Sequence, residues 1–178
     1  METNGKIMNH DLNDLVHRLK NEDERYAGIS KSIQIIYWVL VPIYSVLIIR
    51  DIVIKNSFVD IIGSFCFLFG MIIFALLFRI FHLEYKHVNY ALPTLLMLKN
   101  AVRRYQPFSR QIWIALIGLL LFDAGLSLHS IFDSDLLTIQ FIFWGAMIGA
   151  VLIGLAIWQV RYRSIRDEAL RLIREIEA

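Results

Sequence analysis

Four blocks of consecutive apolar residues constrain this chain more than any other feature. They cover Ile33–Ile49, Phe58–Phe81, Ile112–Phe132 and Leu136–Val160. A helix that crosses a bilayer needs about 20 predominantly apolar residues, within a range of about 17–25. None of the blocks shows the polar face, repeated every 3.6 residues, of a helix packed on a soluble core. The blocks therefore predict an all-α integral membrane protein with four transmembrane helices.

The distribution of Lys and Arg predicts the orientation of the chain. Residues 1–31, the stretch from Arg79 to Arg110 and the tail from Arg161 carry all but two of the 18 basic residues, the exceptions being Arg50 and Lys55. The positive-inside rule then places both termini in the cytoplasm, and we expect the plasma (inner) membrane. The predicted domains are a cytoplasmic N-terminal amphipathic segment (1–31), a first transmembrane hairpin (32–81), a cytoplasmic loop (82–111), a second hairpin (112–160) and a cytoplasmic C-terminal helix (161–178).

The N-terminal segment and the central loop each predict an amphipathic helix. Residues 9–27 place Leu12, Leu15, Val16 and Leu19 on one face, and the following "NEDER" is interpreted as a solvated run of charges. In the loop, an apolar stripe follows helical spacing and includes Ala91, Leu95, Leu98, Val102 and Tyr105. This stripe is compatible with packing on the inner leaflet or on the two terminal helices.

The tail carries a second apolar stripe, the tail stripe, which consists of Tyr162, Ile165, Ala169, Leu172 and Ile176. No Gly or Pro separates Trp158 from Ala178, so we expect the fourth transmembrane helix to continue into the tail. The 3-4-3-4 spacing is typical of a coiled coil. Two heptads need a partner, either the protein's own N-terminal and loop helices or the tail of another subunit.

Asp123 lies in the middle of the third apolar block. An ionised aspartate there costs roughly 2.5–3.5 kcal/mol on insertion scales, so we expect the neutral acid at pH 7. Ser127 and Ser130 share its helical face, and Trp144 lies at similar depth in the next helix. These four residues form the predicted intramembrane polar site. It either bonds helices or subunits together or responds to protons or cations from outside.

Small residues on the fourth apolar block predict close helix packing, because they let two backbones approach. They are Gly145, Ala146, Gly149, Ala150 and Gly154.

Motifs for catalysis and cofactor binding are absent from the sequence: it has no P-loop, G-x-G-x-x-G, H-E-x-x-H, C-x-x-C or G-x-S-x-G. His10, Asp14 and His17 share a helical face at a spacing usable for a metal, but exposed polar surface is the simpler interpretation. We expect no cofactor and no enzymatic activity. The basic residues alternate with acids, so we also expect no nucleic-acid partner.

These observations favour a small non-enzymatic four-span protein that assembles in the bilayer and regulates or anchors a cytoplasmic partner. We expect the lipid bilayer as one partner and, as the other, either further copies of the same chain in a homo-oligomer or a cytoplasmic protein. The alternative function is a subunit of an oligomeric pore or ion conduit, lined by Asp123 and the serine face beside it.

Overall fold

The computed structural model describes residues 2–54, 57–106, 111–129 and 136–177, with side chains from Leu12 onward. Every regular element in these ranges is helical. The elements are α1 (Glu2–Val53), α2 (Phe58–Lys86), α3 (Thr94–Arg104), α4 (Gln111–His129), α5 (Leu136–Ile157), a π-helical segment (Trp158–Tyr162) and α6 (Arg163–Glu177). Four helical stretches are long and apolar enough to span a membrane, which confirms the all-α class.

The N-terminal segment and the first apolar block form one helix rather than two. Helix α1 has 52 residues, which at 1.5 Å per residue is about 78 Å, more than twice the roughly 30 Å of a hydrocarbon core. The sequence predicted a separate short helix over residues 9–27. A lone Gly28 does not end the helix, because a single glycine costs a helix only about 1 kcal/mol relative to alanine.

The chain divides into two compact units, each assembled from distant parts of the sequence. The apolar unit comprises Ile29–His82 and Arg110–Val151. The three-segment unit comprises Met1–Gly28, Leu83–Ser109 and Leu152–Ala178.

The apolar unit contains a close crossing of α2 and α4 at glycines. A Cβ added at Gly125 would lie 2.9 Å from the backbone oxygen of Gly63, and one added at Gly63 would lie 3.1 Å from the oxygen of Gly125. At the second contact, a Cβ on Gly70 would lie 3.3 Å from the oxygen of Gly118. The two pairs run in opposite chain directions, so α2 and α4 are antiparallel at van der Waals distance.

Stacked aromatic rings join α1, α2 and α4 within the same unit. Tyr37 stacks on Phe74 with ring centroids 5.7 Å apart, and Phe74 stacks on Phe122 at 5.5 Å. Aromatic pairs of this kind contribute about 0.5–1.5 kcal/mol beyond their buried area. The rings and the glycines together account for the packing of these three helices.

The three-segment unit has a core to which α1, α3 and α6 all contribute. The buried apolar side chains include Leu15, Leu19, Leu98, Ala101, Ile165, Ala169 and Leu172. Helix α3 packs along α6, and Leu98 and Tyr105 of the loop stripe are buried, whereas Ala91 at its start is exposed. Of the two arrangements that the sequence left open for this helix, the structure has the one that packs on the tail.

Candidate functional site

Asp123 lies on α4 with one carboxyl oxygen, Oδ1, buried and without a hydrogen-bond partner among the described residues. The nearby polar bond instead joins Gln140 of α5 to Ser127 of α4, the amide donating to the hydroxyl over 2.6 Å. Trp144 is 36% exposed, and its ring contacts Phe143. Ser130 lies outside the described residues. Within those residues, the bond between α4 and α5 is therefore made by Ser127 and Gln140, and Asp123 is left with an unused acceptor.

A polar cluster that the sequence did not predict lies on α2 and α4. His129 Nδ1 is 3.6 Å from the carboxyl of Asp60, and His129 Nε2 is 3.5 Å from the hydroxyl of Ser64. Ser64 is 2% exposed and also hydrogen-bonds Tyr44 of α1. In sequence, Asp60 is explained by its first-turn position, which suits the helix dipole, and nothing in the local sequence indicates His129 as its partner.

The small residues of α5 have no close neighbour among the described residues. A Cβ added at Gly145, Gly149 or Gly154 would meet nothing within 4 Å, and Ala146 and Ala150 are exposed. The close glycine contacts of this chain are those of α2 and α4. Gly118 and Gly125 could have been recognised from sequence, because their seven-residue spacing repeats that of Gly63 and Gly70.

Asp23 is the most deeply buried polar residue in the described part of the chain, with 1% of its surface exposed. Its Oδ1 accepts a hydrogen bond from the Tyr105 hydroxyl at 2.6 Å, and its Oδ2 accepts from Arg104 Nη2 at 2.9 Å and from the Tyr90 hydroxyl. Asp23, Tyr90, Arg104 and Tyr105 are called the Asp23 network below. The interpretation of "NEDER" as a solvated run is wrong for Asp23.

A signal for the burial of Asp23 is present in the sequence. Leu15, Leu19, Asp23 and Ala27 recur at four-residue steps on α1, and all four are buried. Asp23 therefore occupies an apolar face of the helix. Asp23 stands among four other polar residues, so local composition indicates a solvated position whereas helical period indicates a buried one.

Two tyrosines of the Asp23 network are held in their neutral form. Burial raises the pKa of the Tyr105 phenol above its ordinary value, and the adjacent Asp23 charge and hydrogen bond raise it further. The pKa of Tyr90 is raised by burial and by its hydrogen bond to the same carboxyl. A phenol must keep its proton to donate a hydrogen bond to Asp23, so the network requires both tyrosines in the protonated form.

Further contacts join the three segments pairwise. Arg18 of α1 pairs with Glu168 of α6 at 2.9 Å, and Lys99 of α3 pairs with Glu177 of α6 at 2.7 Å. Arg161 donates from both Nε and Nη2 to one oxygen of Glu22, at 3.0 and 2.8 Å.

Three residues of the π-helical segment contact the other segments of this unit. The Trp158 indole donates to the backbone oxygen of Tyr105 at 2.9 Å, and the Tyr162 ring stacks on the Tyr105 ring at 5.5 Å. Arg161 lies between them and pairs with Glu22. Single π-helical turns often occur where a helix must re-aim its side chains.

The tail stripe is largely covered within the chain. Ile165, Ala169 and Leu172 are at most 3% exposed, whereas Ile176 is 41% exposed. Their neighbours are on α3, with which α6 packs. Among the partners proposed for the stripe, the chain's own loop helix is thus in contact with it.

The residues proposed for a metal do not form a ligand cluster in the described part of the chain. Asp14 and His17 are exposed, and the His17 ring is 3.2 Å from the amide of Asn21. The side chain of His10 lies outside the described residues. No group of three His, Cys, Asp or Glu side chains suited to a metal occurs among the residues described.

Comparison with protein-family models, with curated proteins and with solved structures finds no match for this chain.

Proposed function

We infer that this chain is a small non-enzymatic integral membrane protein whose three-segment unit anchors or regulates a cytoplasmic protein. The observation that carries this proposal is the architecture of that unit. Three segments, separated along the sequence by apolar helices, share one core, and two of them are joined by the buried Asp23 network. A buried ion pair supported by further hydrogen bonds to its carboxylate favours one defined arrangement of its elements. A unit so defined is suited to present a fixed surface.

The side of the membrane is inferred from charge. The segments that form the three-segment unit contain 13 of the 18 Lys and Arg residues, and Lys31, Arg79 and Arg110 lie within four residues of these segments in the sequence, while the last turn of α1 and its connection to α2 contain only Arg50 and Lys55. The positive-inside rule places the richer side in the cytoplasm. The proposed protein partner is therefore cytoplasmic, and the lipid bilayer is the second partner.

The outer face of α6 is the surface proposed for docking. Arg163, Asp167, Arg171 and Glu175 are about half exposed and form two i,i+4 pairs with N–O distances of 3.6 Å. Exposed pairs of this type contribute only about 0.3–0.5 kcal/mol to folding. Their charges thus remain available to orient a partner, because charges at the rim of an interface steer association and specificity.

The test is cross-linking of partners in intact membranes with charge-reversed variants. Arg163→Glu combined with Arg171→Glu alters the docking face of α6 and leaves the core unchanged. Lys20→Glu combined with Arg25→Glu reverses as many exposed charges on α1 and is the matched control. We expect the α6 variant to lose its cross-linked protein partner and the α1 variant to retain it. Retention by both variants, or no partner with the unaltered chain, contradicts the proposal.

Deletion of residues 161–178 is a poor test of docking. It removes Ile165, Ala169 and Leu172, which are core residues of the three-segment unit. Loss of a partner from the truncated chain would then report unfolding.

The second candidate function is a subunit of an oligomeric pore or ion conduit. It is favoured by the buried, unpartnered Oδ1 of Asp123, since a polar group within an apolar helix often marks an ion path or a subunit contact. Native mass spectrometry tests it. A closed ring of about five or more subunits would support a lumen, and the flux of Asp123→Asn would be measured next. A monomer or dimer would exclude a lumen formed in this way.

A further inference from the structure

A cavity of about 310 Å³ in the three-segment unit has no part in the proposed docking on α6. Its polar wall is formed by Glu84, His87, Asn89, Asn100, Arg103 and Arg104. Apolar side chains complete it, namely Val88, Leu92 and Met97. The volume is at the lower end of the roughly 300–1,000 Å³ of small-molecule sites. A ligand of that size would meet both polar and apolar walls.

Hydrogen-bond donors predominate on the polar wall. Arg104 uses Nη2 for Asp23, but its Nε is buried and has no partner among the described residues. Arg103 is exposed, and its guanidinium makes no ion pair within the described chain. The Asn89 carbonyl oxygen accepts from the backbone of Ala91 at 2.9 Å, which leaves its amide hydrogens. A buried unused donor lowers the stability of the unliganded site and is satisfied by an acceptor.

A second cavity of equal volume shows why this one is selected. Its two basic wall residues, Arg18 and Arg161, are already paired with Glu168 and Glu22. Their charges are compensated within the protein. Only the first cavity combines an uncompensated guanidinium with a buried unpartnered donor among the residues described.

We propose that this cavity binds a phosphate group carried on a small apolar body. A phosphate offers several acceptor oxygens, and arginine is the side chain best matched to them. Glu84 is the one carboxylate on the wall, and it is outnumbered by Arg103 and Arg104. The phosphate could belong to an anionic phospholipid headgroup or to a soluble phosphate ester, since both present the same chemistry. The proposal is independent of the docking function.

Binding is measured on the full-length purified protein in two arms. In the first, native mass spectrometry compares the retention of phosphatidylglycerol with that of phosphatidylcholine. In the second, glycerol 3-phosphate is titrated and the shift of the melting temperature is followed. We expect phosphatidylglycerol to be retained in preference to phosphatidylcholine, or glycerol 3-phosphate to raise the melting temperature. Binding only in the first identifies a lipid, and stabilisation only in the second identifies a soluble ester.

Three variants separate a built site from general attraction of anions. Arg103→Gln and Asn100→Leu each remove donors from the wall and should weaken binding about tenfold or more. Lys99→Gln removes the same charge from the same helix, but Lys99 does not line the cavity and pairs with Glu177; it should bind normally. Equal loss in all three variants, unchanged binding in Arg103→Gln, or no binding in either arm would overturn the proposal.

Discussion

Asp23 is the residue on which the three-segment unit depends most. Its carboxyl is 1% exposed and accepts three hydrogen bonds from α3 and the chain on either side of it. Such a group contributes through its partners, because removing one member of a buried ion pair leaves the other charge uncompensated. The neighbouring Glu24 is exposed and provides the comparison.

Replacing Asp23 with alanine is expected to lower the free energy of unfolding of this unit by about 3–5 kcal/mol. Glu24→Ala removes the same charge from the adjacent position and should change it by less than about 0.5 kcal/mol. Amide hydrogen exchange of α3 and α6, measured in detergent, reports the difference. Similar exchange in the two variants would contradict a central role for Asp23.

The raised pKa values of Tyr90 and Tyr105 predict a loss of stability at high pH. In the unfolded chain both phenols ionise near pH 10, whereas the folded unit holds them neutral to higher pH. Their contribution is therefore complete below about pH 10 and is lost as the pH rises above it.

The measurement is chemical unfolding at pH 9 and at pH values above about 10, with Tyr90→Phe and Tyr105→Phe combined as the comparison. The double variant keeps the rings but cannot ionise at these positions. It is expected to start less stable, because Asp23 loses two donors, and to show a shallower decline above pH 10. A decline of equal slope in both proteins would assign the effect to other groups.

At the scale of elements, the crossing of α2 and α4 depends on glycine more than on any larger side chain. A Cβ added at Gly125 would lie 2.9 Å from the backbone oxygen of Gly63 and equally close to the Phe67 ring. A side chain could rotate away from an added methyl group, but a backbone can yield only if the helices separate. By contrast, Gly149 on α5 has open space around it.

Gly125→Ala is therefore expected to destabilise the apolar unit by about 1–3 kcal/mol, the usual range for overpacking. Gly149→Ala adds the same methyl group to another apolar helix and should be neutral or slightly stabilising, since alanine is the better helix former. Thermal unfolding of both variants in the same detergent compares them. If Gly149→Ala proves the more damaging, α5 has a close neighbour that the single chain does not supply.

At the scale of the whole molecule, the orientation proposed from Lys and Arg can be tested with single thiols. Cys66 is the one native cysteine, so Cys66→Ser provides a background without thiols. Ser57, before α2, and Glu24, on α1, are both exposed and lie on opposite sides in the proposed topology.

In intact cells, a membrane-impermeant maleimide is expected to label Ser57→Cys and to label Glu24→Cys only after permeabilisation. The physical reason is the strong bias of basic residues toward the side of Glu24. The reverse pattern would invert the topology and remove the cytoplasm as the location of the partner. Labelling of both without permeabilisation would contradict the four-span arrangement.

The sequence alone determined the helical class and the four apolar stretches, because the length and composition of each stretch are local properties of the chain. Helical period likewise marked the face of α6 that the structure buries, but on α3 it marked only Leu98 correctly, since Met97 and Ala101 are buried in place of Leu95 and Val102. The continuity of α5 into α6 followed from the absence of Gly and Pro, although the π-helical segment between them did not.

Only the tertiary structure decided which polar groups meet. The pairing of Asp23 with Arg104 spans 81 residues, and that of Asp60 with His129 joins two apolar helices. Neither pair is visible in a local window, because each residue has a satisfactory local explanation as a surface charge, a helix-end charge or a basic loop residue. Asp123 is the reverse case: its position in an apolar block drew attention, yet its buried oxygen has no partner among the described residues. A single sequence records where a polar group is costly, whereas the partner that offsets the cost is set by how the helices pack.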